Sequence, residues 1–382
     1  MCRVSLTAPS LPEPRSDTPS TAPGSSPGRS IPFYNVLWAA VSPDKSTLTV
    51  DFAEPGAKGS VRASRLAISL SGPLDLPSGA VEAWVESLLL RSYASVPRQR
   101  RAYVLLNPRA GTGGAVKKWE TEARPIFAAA AMRLTVVTTE YSGHAAELCA
   151  AMDVDAFDIV VPCSGDGLAH EVFNGLGRRT DARRALSRLA VCHIPCGSGN
   201  AMACNLYGTH KPSAAALAIV KGLPTPMDLV SVTHGDQRTL SFLSQAVGIV
   251  AESDLATEHL RWMGQTRFTW GFLERFLAKK VYPCDLAVKV ELEEKDAVTA
   301  HYRRARKGET AKTVSGSSRD GASEVTTASD EGLPPLQHGT INDELPEGWE
   351  LRPYDKMGNF YCGNVRWPSP PGMLTTGLTD SA

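Results

Sequence analysis

Two glycine-rich turns, close together in the chain, carry the residue types best suited to chemistry. Pro162–Leu168 has the sequence PCSGDGL, and Pro195–Ala201 has the sequence PCGSGNA. Each turn follows a short apolar run and opens into a helix-like stretch, an arrangement that brings main-chain N–H groups to one edge of an open α/β sheet. Convergent N–H donors and helix N-termini bind anions, and phosphate is the usual occupant. The two turns therefore predict a phosphate site.

Asp166 lies between Gly165 and Gly167, at the tip of the first turn. A carboxylate repels phosphate unless it holds a metal ion or takes a proton. A single glycine-rich turn usually serves close packing of a strand against a helix, but two in succession, one with an aspartate, favour a functional site. Neither turn is a P-loop, because the motif G-x-x-x-x-G-K-[ST] occurs nowhere in the chain.

Composition excludes several classes of protein. The chain has 382 residues, enough for two domains, and its 40 basic and 40 acidic residues give no general attraction to nucleic acid. The 8 cysteines form no C-x-x-C pair, and Cys149, Cys163 and Cys192 lie in apolar runs, as expected of reduced, buried thiols. No apolar stretch is long enough for a transmembrane helix, and the N-terminus is not a secretory signal. We therefore expect a cytoplasmic protein that is free to associate with a membrane surface.

Changes in composition divide the chain into four parts. Residues 1–30 are rich in Pro, Ser and Thr, and we expect them to be disordered. Residues 31–98 predict a small β-rich module. Residues 101–225 alternate strands and helices, which predicts a doubly wound α/β nucleotide-binding domain with a parallel sheet. Residues 226–382 predict a second, β-rich domain with a disordered insertion over 294–345.

Apolar runs also predict the elements that position the turns. Buried strands are expected over Ala102–Leu106 and Leu134–Thr139. A helix over Ser142–Met152, with Ser142 as its N-cap, follows the second of these strands. In the flanking parts, helices are predicted over Val81–Tyr93 and Leu255–Lys280.

Four motifs in order resemble one protein family. S-G-D-G-L-x-x-E-V-x-N-G (Ser164–Gly175) and P-x-G-S-G-N-A (Pro195–Ala201) are similar to the catalytic domain of sphingosine, or long-chain-base, kinases, within the wider diacylglycerol kinase superfamily. Asn107–Gly111 resembles the family's first nucleotide loop, and 251–268 resembles a segment that separates sphingosine kinases from their relatives. The resemblance covers roughly residues 101–292. It implies ATP-dependent phosphorylation of the primary hydroxyl of a sphingoid base.

The resemblance also implies which residues contact the nucleotide. They are Asn107, Pro108, Arg109, Thr139, Glu140, Glu171, Gly197, Ser198, Gly199, Arg261 and Arg267. Arg261 and Arg267 match arginines that contact the phosphates, whereas local sequence alone favours a solvated helix face for them. Mg²⁺ is implied as the companion of ATP, since no cluster of metal ligands is evident and His170 lacks the second histidine of a zinc motif.

On the lipid side, Asp166 is implied to accept or orient the proton of the primary hydroxyl. Asp254 matches the carboxylate that recognises the sphingoid amine and hydroxyls, although local sequence alone favours a helix N-cap before Leu255. The apolar stripe from Trp262 to Leu277 is either plain core or part of the acyl-chain pocket. A peripheral membrane contact is expected, and a nucleic acid partner is not. The residues implied to face the substrate are Ser164, Gly165, Asp166, Gly167 and Asp254.

The chain departs from the family pattern after Asn364. In the family the second domain continues through further strands to an acidic turn that returns to the phosphates, whereas this sequence ends at Ala382. We therefore expect an incomplete sandwich and a poor kinase. Two alternatives stay open: a diacylglycerol or ceramide kinase of the same superfamily, which the segment from Asp254 to Arg267 disfavours, and a kinase-like protein that binds lipid or nucleotide without turnover.

Overall fold

The computed structural model of the chain describes residues 2–6, 30–70, 77–111, 113–263, 266–314 and 332–364. At Cys2–Leu6, Arg261 and 305–314 it describes the main chain but not the side chains. Within these ranges the elements fall into an N-terminal, a central and a C-terminal part.

The N-terminal part consists of a three-stranded antiparallel sheet, a helix and β1, a strand that pairs within the sheet of the central part. β2 pairs with β3 and β3 with β4, and the side chains of Val50 and Phe52 on β3 are buried. The predicted helix is confirmed and is one residue longer than expected. The elements are β1 (Cys2–Leu6), β2 (Val36–Val41), β3 (Thr47–Pro55), β4 (Val61–Ser69) and α1 (Ala80–Tyr93).

The central part is built on one sheet with helices packed against it. Its strands are β5 (Arg101–Leu106), β6 (Arg133–Thr138), β7 (Ile159–Ser164), β8 (Ala190–Val191), β9 (Ile194–Pro195) and β10 (Leu223–Met227). Its helices are α2 (Ala115–Lys118), α3 (Arg124–Ala129), α4 (His144–Ala151), α5 (Asp166–Gly177), α6 (Ala182–Arg188), α7 (Ala201–Tyr207) and α8 (Pro212–Lys221).

The strand order is β10-β1-β8-β7-β5-β6. The short strand β9 lies on the same side of β7 as β8 and pairs with the last two residues of β7. Every pair is parallel except β1 with β10. All residues of β7 are buried, as in a parallel sheet covered on both faces. The predicted α/β class with a parallel sheet is confirmed. Because parallel strands end at the same edge, the loops after β5, β6, β7 and β9 lie at one edge of the sheet.

The prediction of disorder over 1–30 is wrong for Cys2–Leu6. β1 lies between β8 and β10, with Arg3 opposite Ala190 on one side and Pro226 on the other. Main-chain hydrogen bonds to two strand edges stabilise this segment, and composition carries no information about them. Residues 7–29 lie outside the described ranges, so disorder there stays a prediction.

Large apolar side chains fill the space between this sheet and its helices. Trp119 and Phe127 are fully buried and pack edge to face, with ring centroids 5.8 Å apart. Trp119 begins a π-turn between α2 and α3, and Pro125 follows in the first turn of α3, where its missing N–H costs nothing. The prediction of buried, reduced thiols is confirmed for Cys149, Cys163 and Cys192.

The C-terminal part pairs its described strands in twos. β11 pairs with β12, β13 with β16 and β14 with β15, all antiparallel. A sandwich domain over 226–382 therefore stays a prediction. The elements are β11 (Val230–His234), β12 (Gln237–Ser241), β13 (Ser244–Gly248), α9 (Ile249–Ala256), α10 (Thr266–Leu277), β14 (Cys284–Val288), α11 (Lys295–Val314), β15 (Glu350–Tyr354) and β16 (Asn359–Gly363).

Two predictions in the C-terminal part are wrong. The helix expected over Leu255–Lys280 begins earlier, at Ile249, and is divided into α9, a 3₁₀ segment (Glu258–Met263) and α10. The disordered insertion expected over 294–345 contains α11. This segment is rich in Ala, Lys and Arg, which favour a helix even where there is little apolar surface to bury. Residues 315–331 lie outside the described ranges.

Asn174 of α5 joins the central part to the C-terminal part. Its Oδ1 accepts from Leu240 N–H at 2.9 Å, and its Nδ2 donates to Leu240 O at 2.9 Å. Leu240 is on β12, and next to it Phe242 lies 5.1 Å from Phe173 between ring centroids. One buried amide thus satisfies both main-chain groups of a buried residue, as a strand neighbour would.

We predict that Asn174→Ala lowers the free energy of unfolding by about 1–3 kcal/mol, because it leaves the N–H and C=O of Leu240 buried without partners. Chemical denaturation monitored by Trp fluorescence measures this change. Asn342→Ala is the matched control, since Asn342 is exposed and should change stability by less than about 0.5 kcal/mol. Equal stability of the two variants would show that Asn174 does not hold the two parts together.

Candidate active site

Three loops meet at the edge where the parallel strands end. We name them loop A (107–114), which follows β5, turn B (164–167), which begins at the end of β7, and turn C (196–200), which follows β9. Together they contain most of the nucleotide and substrate residues that the sequence predicts. Thr112 in loop A lies outside the described residues.

Ser164 at the start of turn B connects the three loops. Its carbonyl oxygen accepts from Cys196 N–H of turn C at 2.8 Å. Its hydroxyl accepts from Nδ2 of Asn107 in loop A at 3.3 Å. The N–H of Asn107 in turn donates to Cys163 O at 3.3 Å. The spacing of the loops is therefore set by hydrogen bonds and not by packing alone.

The glycines of these loops approach one another backbone to backbone. A Cβ atom on Gly197 would lie 2.3 Å from the Cα atom of Gly165, closer than real atoms come. A Cβ atom on Gly111, which has φ +58°, would lie 2.8 Å from Cys196 O. Glycine is required at both positions because no side chain fits. The edge of the site is consequently lined by bare main chain.

Two asparagines hold loop A and turn C in shape. Asn200 accepts from Gly197 N–H at 2.9 Å and donates back to Gly197 O at 2.9 Å, which closes turn C. Asn107 Oδ1 accepts from Arg109 N–H at 3.0 Å, and the Arg109 side chain is left exposed. Loop A thus presents a cation beside the main-chain edge of turns B and C.

Asp166 points toward the beginning of α7. Its Oδ2 accepts from Ala201 N–H at 2.8 Å, and its Oδ1 accepts from Met202 N–H at 2.9 Å. The positive end of the helix therefore balances the carboxylate, so neither a metal ion nor a proton is needed to keep it there. The side chain is 21% exposed, and each oxygen keeps a second lone pair. Asp166 is thus fixed in position yet open to one further partner.

Thr139, Glu140 and Glu171 flank the site at its β6 side. The Thr139 hydroxyl is buried and donates to Leu106 O at 3.5 Å, and Glu140 is exposed. Glu171 Oε2 accepts from Ala145 N–H at 3.2 Å at the start of α4. The prediction that Ser142 caps this helix is wrong: α4 begins at His144 after Gly143, and its acceptor comes from α5.

Asp254 and Arg267 form a pair within the C-terminal part. Arg267 donates to Asp254 Oδ1 at 2.6 Å and to Asp254 O at 3.0 Å. The Asp254 side chain is 60% exposed and that of Arg267 only 9%. The local expectation of an N-cap at Asp254 is wrong, because α9 begins after Gly248 and Asp254 lies inside it. The side chain of Arg261 lies outside the described residues.

The apolar stripe from Trp262 to Leu277 does not form core. Most of its members are exposed, up to 73% for Trp262, and Phe272 stacks on Phe276 at 6.0 Å. Beside the Asp254–Arg267 pair, α10 thus presents an apolar face to solvent. None of the helices in the described ranges is long and apolar enough to cross a membrane.

The prediction from sequence did not include Asn200 and His193. Asn200 belongs to the motif of turn C, and this motif is the sequence signal that could have indicated its hydrogen bonds to Gly197. His193 is fully buried between β8 and β9, and its Nε2 lies 3.0 Å from Ser164 O. The only sequence signal for it is one polar residue in an otherwise apolar run.

Comparison with known proteins identifies two regions of the chain. Residues 101–232 match the diacylglycerol kinase catalytic domain, the stretch that contains loop A and turns B and C. Residues 8–94 match a domain of unknown function, DUF7493. The catalytic match begins at β5 and ends in β11.

Three similar proteins are sphingoid long chain base or sphingosine kinases by name. The chain is 40% identical over 222 residues to sphingoid long chain base kinase 5 of Saccharomyces cerevisiae, 57% of this chain and 32% of the relative. It is 35% identical over 276 residues to sphingoid long chain base kinase 4 of Schizosaccharomyces pombe, 72% of this chain and 58% of the relative. It is 38% identical over 202 residues to human sphingosine kinase 1, 50% of this chain and 52% of the relative.

The chain thus matches between 32% and 58% of the length of these relatives. The residues that match the family model, 101–232, include the main-chain edge of the site and Asp166. Residues 101–232 match the diacylglycerol kinase catalytic domain, and the chain that carries them is similar to the sphingoid long-chain-base and sphingosine kinases.

Proposed function

We propose that this chain is an ATP-dependent lipid kinase that phosphorylates the primary hydroxyl of a sphingoid base. The observation that carries the proposal is the position of Asp166, an aspartate held at the edge of a cradle of main-chain glycines. A cradle without side chains suits phosphate, and an aspartate beside it suits a hydroxyl acceptor. The names of the relatives favour a sphingoid base over other lipid alcohols.

The residues of the cradle fit a nucleotide. Ser198 and Gly199 would offer main-chain donors to its phosphates, and Arg109, exposed on loop A, would supply positive charge. Gly197, whose N–H already donates to Asn200, would let the phosphates approach the bare backbone. Asn107 would act indirectly by fixing the loop. Thr139, with its buried hydroxyl already engaged, would contribute shape and not a hydrogen bond. Pro108, Glu140 and Glu171 complete the proposed nucleotide side.

Asp166 would act on the acceptor hydroxyl. The N–H groups of Ala201 and Met202 hold its two oxygens in fixed positions, so the carboxylate needs no reorganisation when the substrate arrives. A free lone pair would accept the hydroxyl hydrogen while the oxygen attacks the γ-phosphorus. Ser164, Gly165 and Gly167 would form the wall next to that hydroxyl.

Mg²⁺ would arrive with ATP. Within the part of the chain that the structure describes, no group of three or more His, Cys, Asp or Glu side chains is placed to hold a metal ion. The donor set therefore does not fit a metal site built by the protein, and phosphate oxygens would supply the ligands. Among the residues of this chain, the proposed step depends on Asp166, the glycine cradle and the arginines that would face the phosphates.

The Asp254–Arg267 pair is the proposed site for the sphingoid head. Arg267 uses only Oδ1 of Asp254, and among the described side chains none occupies Oδ2, which can accept from an ammonium group. The exposed apolar face of α10 next to this pair would take the alkyl chain or touch the surface of a membrane. We further propose that Arg261 and Arg267 approach the phosphates when both substrates are bound.

The direct test is a transfer assay with radiolabelled ATP and the purified chain. We expect label in sphingosine and much less in diacylglycerol or ceramide presented in the same micelles. Preferential labelling of diacylglycerol or ceramide would identify that lipid, and not a sphingoid base, as the substrate. Nucleotide binding without transfer to any of the three would favour the binding protein without turnover.

Asp166→Asn should reduce transfer by about 10²–10⁴-fold, the usual contribution of a general base. Because it also removes one acceptor from the start of α7, we expect a loss of about 1 kcal/mol in unfolding free energy. Nucleotide affinity should stay near that of the parent, which equilibrium binding of a fluorescent ATP analogue measures. Asp236→Asn, at an exposed hairpin turn, serves as the matched control. Retention of more than about a tenth of the parent rate contradicts the role of Asp166.

Gly197→Ala should abolish nucleotide binding, because the added methyl would overlap the backbone of Gly165 and force turns B and C apart. Gly114→Ala is its control: a Cβ at Gly114 meets nothing within 4 Å, and the φ of this residue is −94°. Calorimetric titration with ATP compares the two proteins. If both bind ATP equally, the close contact between the turns is not a requirement of the site.

Asp254→Asn should raise the KM for sphingosine by about ten- to hundredfold, as expected for loss of a charge-assisted hydrogen bond. The KM for ATP should be unchanged. Asp285→Asn, an exposed aspartate on β14, controls for a general effect of charge. An unchanged KM for sphingosine would leave Asp254 with a structural role only, as the partner of Arg267.

A further inference from the structure

His193 lies directly beneath the proposed active site. Its side chain has no solvent exposure, and its main-chain N–H donates to the hydroxyl of Tyr207 at 3.2 Å. It stands at the connection between β8 and β9, just before turn C. Its imidazole lies next to Ser164 and Asp166, at turn B.

The hydrogen bonds of His193 determine which ring nitrogen carries hydrogen. Nε2 lies 3.0 Å from the carbonyl oxygen of Ser164, which can only accept, so Nε2 carries the hydrogen. Burial lowers the pKa of His193, although the charge of Asp166 and the Ser164 carbonyl oppose this effect. A neutral imidazole with hydrogen on Nε2 leaves Nδ1 as a bare acceptor.

That bare Nδ1 faces Asp166. Nδ1 lies 3.8 Å from Oδ1 of Asp166 and has no hydrogen-bond partner among the residues that the structure describes. A core histidine with a purely structural role normally has both nitrogens bonded, since an unpaired buried acceptor costs about 1–3 kcal/mol. Here the unpaired atom is directed at the carboxylate that the proposed reaction protonates.

We propose that His193 is a positioning residue that acts through Asp166, by accepting a hydrogen bond from the carboxyl group once that group has taken the substrate proton. The inference rests on the proposed function. The hydroxyl oxygen forms a bond to the γ-phosphorus, and the bond from that phosphorus to ADP breaks with its electron pair left on ADP. The proton moves from the hydroxyl to Asp166, is held between Asp166 and Nδ1, and leaves to water with the product.

The transient bond requires a small movement of the two side chains. A hydrogen bond from a protonated carboxyl to an imidazole nitrogen is about 2.6–3.2 Å long, so the two atoms must approach by roughly 1 Å. When Asp166 is an anion, it accepts from Ala201 and Met202, and Nδ1 has nothing to accept. The interaction therefore exists only after proton transfer, which is when it assists the reaction.

His193→Gln is the variant that separates this role from packing. The amide nitrogen of glutamine can occupy the position of Nε2 and keep the bond to Ser164 O, but the side chain has no counterpart of the basic Nδ1. We expect kcat to fall roughly tenfold, a fraction of the general-base contribution, with the KM for both substrates unchanged. His210→Gln, at an exposed position before α8, is the control and should match the parent.

Combination with Asp166→Asn provides the second readout. If His193 acts only through Asp166, adding His193→Gln to Asp166→Asn should lower the rate no further, whereas a packing role gives losses that multiply. If the parent transfers phosphate, an unchanged kcat in His193→Gln would overturn the inference and leave the proposed function intact. Losses that multiply in the double variant would have the same meaning. A parent protein without transfer would remove the proposed function instead.

A measurement without turnover tests the geometry itself. In ¹⁵N-histidine-labelled protein at neutral pH we expect His193 to show one protonated nitrogen, Nε2, and one bare nitrogen, Nδ1. Asp166→Asn should move the Nδ1 signal, because the new amide can donate to it. A doubly protonated ring or the opposite tautomer would refute the inference whether or not the chain is active. An Nδ1 signal that is unchanged by Asp166→Asn would refute it as well.

Discussion

The close approach of Gly165 and Gly197 is the constraint on which the site depends. Turns B and C touch backbone to backbone, so the distance between β7 and β9 at their ends is set by main-chain atoms alone. This contact brings the start of α7 under Asp166 and places Ser164 O within reach of both Cys196 N–H and His193. A side chain at Gly197 would separate the helix from the carboxylate and would open the cradle at the same time.

A second constraint joins the N-terminal part, the module predicted over residues 31–98, to the central part. Two buried cations, Arg100 and Lys221, bind main-chain carbonyls at the C-terminal end of α8 and in the module. Arg100 donates to Val220 O at 3.0 Å, and Lys221 donates to Ser92 O at 3.1 Å with its ammonium group 3.5 Å from the centre of the Tyr93 ring. Burial lowers the pKa of Lys221 to about 7. A helix C-terminus favours cations, which explains why two of them are tolerated there without carboxylates.

The sequence predicts the parts of this structure that depend on local pattern. Strand, glycine turn and helix follow one another as expected around Asp166, and α1 lies within one residue of its predicted start. What could not be predicted depends on contacts between distant segments. β1 exists because two strand edges accept it, and α4 is capped by Glu171 instead of Ser142. The histidine below Asp166 belongs to the same class, since one polar residue in an apolar run does not reveal its partner.

Both acidic residues assigned to the proposed substrate site are bound to internal donors, and the two cases differ in what a substrate must do. Asp166 is held by neutral N–H groups, which a substrate hydroxyl can join without displacing them. Asp254 is held by Arg267, whose side chain is only 9% exposed, so removing the carboxylate from that arginine would leave a nearly buried cation unpaired. Under the proposed function, a sphingoid amine would therefore bind Asp254 together with Arg267, and two cations would then share one carboxylate. Phosphate oxygens close to Arg267 would restore the balance of charge, which gives a physical reason for lipid head and nucleotide to bind as neighbours.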